Sequence, residues 1–158
     1  MLRTDLTTAS SGGTTGSTTK PTTPSNPGTT IGDANERLVL TLINQERAKA
    51  GLPALTMDAN LLRIARIKAQ EMVDKNYFSH TSPTYGTPFK MMQSNGITYK
   101  TAGENIAGNP SVEGAVKAWM NSEGHRKNIL SNAYNYIGVG VVKSDVYGYM
   151  LVTMFVGR

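Results

Sequence analysis

Leu38, Leu42 and Ile43 recur at helical spacing behind Asp33-Ala-Asn-Glu36, whose two acids stand at capping-box separation. The pattern predicts a helix that begins near Asp33 and stops at Gly51-Leu52-Pro53. Asp58 is placed to cap a second helix, in which Leu61, Ile64, Ala65, Ala69, Met72 and Val73 share one face. That face leaves Arg63, Arg66, Lys68 and Glu71 largely outside, and the helix runs out near Asn76. Thr87-Pro88 opens a short third helix and Asn95-Gly96 closes it. Ile97 to Ala107 reads as extended. Asn109-Pro110-Ser111 starts a fourth helix, where Val112, Ala115, Val116, Trp119 and Met120 follow the i, i+3, i+4, i+7, i+8 pattern. Trp119, one large aromatic on an apolar stripe, is expected in the core. Gly124 is expected to break this helix, with His125 to Leu130 as a further short turn or helix. Ile137, Val139 and Val141 alternate with Gly138, Gly140 and Val142, so one face of that strand is bare and open to close packing. Ser144-Asp145 makes a turn, and Tyr147 to Val156 is a long apolar strand with both faces covered. Helices first, one strand between helices, then a terminal hairpin: the order predicts an α+β fold with helices covering a small, mostly antiparallel sheet.

Residues 1–32 change the picture of the chain ends. They are almost entirely Thr, Ser, Gly and Pro, too poor in apolar surface to offset the entropy of ordering, and are expected to form a disordered tether ahead of one folded domain over 33–158. Met1-Leu-Arg3 is not followed by an apolar run, so no signal peptide is read there. No apolar run approaches the ~18 residues of a membrane span, so no transmembrane segment is expected. The 158 residues include no cysteine, so stability must come from packing alone, although export is compatible with that. The net charge of +5 is spread out rather than clustered, which speaks against a nucleic-acid partner and is compatible with an anionic surface such as a cell-wall polymer.

The chemistry-bearing residues are few. The chain has two histidines, His80 in Asn76-Tyr-Phe-Ser-His80 and His125 in Glu123-Gly-His125, each where a helix ends. Glu104 lies beside a glycine in Ala102-Gly-Glu-Asn-Ile106. These groups are expected to converge on one cleft. Two neutral imidazoles aimed at one point with a carboxylate nearby suit Zn²⁺ or another divalent cation, in a weak and exchangeable site whose affinity falls below about pH 6.5. Glu104 reads equally as a ligand or as a hydrogen-bonded strut, and Glu123 equally as a cleft acid or a solvated helix-end acid.

The combination of Phe78-Ser-His80, Gly103-Glu-Asn-Ile106, the Trp119 helix, Gly124-His-Arg126 and a terminal hairpin with Gly-Val-Gly140 resembles the CAP superfamily, also called SCP domains. That superfamily comprises the cysteine-rich secretory, antigen 5 and pathogenesis-related 1 proteins. The resemblance covers roughly Ala34 to Arg158 and is nearest the bacterial branch, whose members often lack cysteines. It implies a three-layer α-β-α sandwich and a cleft holding two His and two acids, here His80, His125, Glu104 and Glu123. It also implies metal binding by the two histidines. In eukaryotic members the second acid stands three residues after the helix Trp, where this chain has Ser122; Glu123 is one place further on.

Two functions follow from different classes. The first is an exported, cell-surface or extracellular module, compatible with wall association, that recognises a cell-wall polymer, lipid or protein. The second is a metal-dependent hydrolase of peptide or wall material, with Glu104 or Glu123 as base for a metal-bound water. Ser122 is a candidate nucleophile near His125, but the two are read as too close in sequence to meet easily. No Gly-x-Ser-x-Gly or His-Glu-x-x-His motif is present, no catalytic residue is assigned, and the family implies no common reaction. The tether and the missing motif favour the binding module.

Overall fold

A mixed sheet, in the strand order β1-β3-β5-β4-β2, separates two layers of helix. The structure is a computed structural model that describes residues 7–10, as backbone, and 31–158. The strands are β1 (Thr7–Ser10), β2 (Thr56–Met57), β3 (Thr101–Asn109), β4 (Tyr136–Ser144) and β5 (Gly148–Gly157). The helices are α1 (Ala34–Lys49), α2 (Ala59–Asp74), α3 (Pro88–Ser94), α4 (Val112–Met120) and α5 (Glu123–Ile129). β4 and β5 form the expected hairpin, and β5 also pairs antiparallel with β3 along its whole length, from Thr101↔Gly157 to Asn109↔Tyr149. Only β2 runs parallel to its neighbour, β4. The fold is the expected α-β-α sandwich.

Successive residues of a strand face opposite sides, and β5 uses both. Met150, Val152, Met154 and Val156 join Leu61, Ile64, Ala65, Met72 and Met92 of α2 and α3. Leu151 and Phe155 join Val39, Ile43, Val116, Trp119 and Ile129 of α1, α4 and α5. Burying each such aliphatic or aromatic side chain contributes about 1.5–3 kcal/mol, so both layers are held chiefly by this contact. The bare glycine face of β4 takes α2: a Cβ at Gly138 would stand 2.2 Å from the Leu61 carbonyl carbon, and one at Gly140 2.5 Å from that of Ala65. Asp33 and Glu36 form the expected capping box, and Asp58, Thr87 and Ser111 cap α2, α3 and α4.

Several expectations are corrected. Lys68 and Glu71 are buried rather than outside. Gly124 does not break a helix: α4 has already ended at Met120, and Ser122 resets the chain as the N-cap of α5, in which Gly124 lies. The short β2 has no signal in the sequence, because two residues are too few to show a period. In the segment read as a tether, Thr7–Ser10 is a strand and Ile31 packs against the α1 side of the core, while the rest lies outside the described residues. Among the described residues no helix is long and apolar enough to cross a membrane.

Candidate functional site

β3 builds the site by pointing two consecutive residues to opposite sides of the sheet. Glu104 faces α2, where its Oε1 lies 2.7 Å from His80 Nδ1 and both its oxygens lie 3.4 Å from Lys68 Nζ. Asn105 faces α5, and its Nδ2 donates to the His125 carbonyl at 3.1 Å. Asn128 of α5 completes that side, donating to Asn105 Oδ1 at 3.0 Å and to the Glu104 carbonyl at 3.4 Å. Two helical layers on opposite faces are thereby pinned to adjacent residues of one strand. Gly103 is required here, since a Cβ would stand 2.6 Å from the Tyr134 hydroxyl and 3.0 Å from Asn128 Oδ1.

His80 sits in the loop between α2 and α3, and α2 holds that loop at two points. Lys68, fully buried, donates to the His80 carbonyl as well as to Glu104. Glu71, one turn on, accepts from the Tyr77 and Ser82 hydroxyls on either side of His80. Burial raises the Glu71 pKa, but the hydrogen bonds from Ser82, Tyr77 and Thr84 and the charge of Lys75 outweigh it and hold the carboxyl below its usual range. Glu104 Oε1 anchors His80 through Nδ1, so a metal held by this ring would be taken at Nε2.

His125 is the third helical residue after the cap Ser122. The first-turn geometry brings Ser122 Oγ to 2.8 Å from His125 Nδ1, so the pair judged too close in sequence does meet. Ser122 Oγ pairs with this ring rather than with a backbone amide of the helix. His125 is 1% exposed, and its Nε2 is buried without a hydrogen-bond partner among the described residues. Burial, with a smaller contribution from the charge of nearby His80, lowers its pKa to about 4, so the ring is neutral at pH 7. At the far end of α5, Arg47 donates to the carbonyls of Ile129 at 2.9 Å, Ser131 at 2.8 Å and Pro53 at 2.8 Å, which fixes the helix from below.

The expected groups therefore divide. His80 and Glu104 are in direct contact, and His125 with Ser122 approaches from the other face. Glu123 is exposed in the first turn of α5, and no hydrogen bond or ion pair joins it to either histidine among the described residues. Sequence reasoning missed Lys68, Glu71, Asn105, Asn128 and Arg47. A signal existed for Lys68, which stands four residues after Ile64 and seven after Leu61, on the apolar stripe itself.

As a metal site the donor set is two imidazole nitrogens. Each ring has Nδ1 anchored by a hydrogen bond, the arrangement that orients Nε2 in metal-binding histidines, and the orphaned Nε2 of His125 is a ready donor. Glu104 is committed to His80 and Lys68, and among the described residues no three His, Cys, Asp or Glu side chains gather in a metal-binding arrangement. His80 and His125 are the residues that would hold a divalent ion, and water or a partner would have to complete its shell.

A model of the cysteine-rich secretory protein family, CAP, matches residues 40–157. YkwD of Bacillus subtilis is 56% identical over 126 residues, covering 79% of this chain and 48% of YkwD. The membrane protein YlbC of the same organism is 41% identical over 113 residues, covering 70% of this chain and 32% of YlbC. The chain thus spans half or less of the curated relatives it matches. An extracellular protein containing an SCP domain from Bacillus anthracis superposes with a TM-score of 0.73 at 35% identity, over 78% of this chain and 40% of that one. An outer surface protein from Borrelia burgdorferi shares the fold, with a TM-score of 0.73 at 22% identity over 78% of this chain and 92% of that one.

Proposed function

The chain belongs to the cysteine-rich secretory protein (CAP) family, and on that premise we propose that it is an extracellular interaction module whose His80–His125 pair takes a divalent ion such as Zn²⁺. The observation that carries the reading is the His125 Nε2, buried and without a hydrogen-bond partner among the described residues. Such an atom costs about 1–3 kcal/mol unless something meets it, and an ion would offset that cost. When bound, the ion would supply a Lewis acid with open positions for a partner's oxygen donors. The extracellular location is supported by the 35% identical SCP-domain protein of Bacillus anthracis, described as extracellular. A cell-wall polymer, a lipid or a protein remains the class of partner.

The hydrolase reading is weaker on geometry. A base must reach water, but Glu104 is fully buried and holds His80 and Lys68, while Glu123 points to solvent away from any hydrogen bond with the histidines. Calorimetric titration of Zn²⁺ into the wild type, His80→Ala and His125→Ala tests the metal. Affinity should fall by more than about tenfold in each variant, and equal affinity would remove that histidine from the site. Incubation with peptidoglycan and peptides, with and without Zn²⁺, should give retention without turnover. Turnover abolished by Glu104→Gln would defeat the binding-only reading.

A further inference from the structure

The two imidazoles come from opposite faces of the sheet, His80 with the α2 layer and His125 with the α5 layer. Glu104, which holds His80, lies on β3, whose outer edge is the side away from β5. That same edge carries β1. Thr7–Ser10 pairs antiparallel with β3 in the register Thr7↔Glu104, Thr8↔Gly103, Ala9↔Ala102 and Ser10↔Thr101. The strand thus ends opposite Glu104, the residue that holds His80.

We propose that the outer edge of β3 at Thr101–Glu104 is a docking site for an extended polypeptide strand, filled in cis by Thr7–Ser10 and open in trans to a Thr/Ser-rich segment of the same kind. An unpaired edge offers alternating N–H and C=O groups, and the complementary spacing is that of another polypeptide backbone. Beside the docked strand, β3 presents Ala102 and Gly103, small residues that demand no particular side chain from their partners. Four residues of a Thr-rich stretch with no apolar core of its own are held there by backbone pairing, which makes the contact exchangeable. A strand in this register delivers its end to Glu104, the residue that holds His80. The inference deepens the binding reading above and rests on it for the identity of the cleft.

Hydrogen exchange of the full chain tests it. In an antiparallel pair alternate residues donate, either Thr7 and Ala9 or Thr8 and Ser10, so the double variant Thr8→Pro/Ala9→Pro removes one of the two donors in either phase. Outward amides of Thr101–Glu104 should exchange roughly tenfold faster or more in the variant, while β5 amides stay protected. A synthetic peptide of residues 4–11 should restore the protection in trans, and the same peptide carrying the two prolines should not. Unchanged exchange in the variant would overturn the docking site, and lost protection that the peptide fails to restore would overturn the partner class. Zn²⁺ affinity measured on the same variant should equal that of the wild type. Failure of the exchange test with zinc binding intact therefore sinks only the strand, and failure of zinc binding with exchange as expected sinks only the metal.

Discussion

Lys68 and Glu71 stand three positions apart on α2, and each holds a different part of the loop that carries His80. Lys68 is buried against Glu104, so removing one partner leaves an uncompensated charge in the interior. Lys68→Ala is expected to lower unfolding free energy by about 3–5 kcal/mol, and Lys68→Met with Glu104→Gln to recover most of it, as read by urea denaturation. Equal loss in both variants would show that the ion pair is not what the mutation breaks. Glu71 gives the pH dependence. Its folded pKa lies below the ordinary carboxyl value of 4.5, so its contribution is fully present above that pH and is lost as pH falls through the folded value. Stability measured from pH 6 downward should therefore fall more steeply in the wild type than in Glu71→Gln. Ser122 illustrates the same scale: as a helix cap three residues before an imidazole, it sets that ring rather than the helix end.

Among the elements, β3 and α2 do most to place the site. β3 was legible as an extended stretch, and its Gly-Glu-Asn run marked a functional position, but the division of Glu104 and Asn105 between two layers needs the layers themselves. The α2 stripe was legible from its aliphatic residues. Its two polar members were assigned outward because periodicity reads polarity as exposure, and a buried Lys paired with a distant Glu breaks that rule. The glycine face of β4 was correctly read as an invitation to close packing. Gly138→Ala should be costly there, since the obstacle is Leu61 backbone rather than a flexible side chain. A loss of roughly 1–3 kcal/mol or more is expected, visible as a lowered Tm. Ala at the exposed Gly51 would meet no neighbour within 4 Å, and its cost would come instead from the backbone, whose φ of +75° disfavours an L side chain.

Across the molecule, the sandwich arises because β5 is apolar on both faces and helices cover each. That much followed from periodicity, and the family motifs located both histidines. The layer from which each approaches did not follow from either, because it depends on how the helices are divided between the two faces of the sheet. Arg47, which the sequence reading passed over, links α1 to the end of α5 through carbonyls more than eighty residues away, a contact invisible in local pattern. The proposed metal site requires that His80 and His125, anchored from opposite layers, present their Nε2 atoms to one point. Anomalous diffraction from a crystal soaked in Zn²⁺ reads this out. A peak between the two rings that disappears in His125→Ala is expected; a zinc peak on one ring alone, or none near either, would refute the shared site.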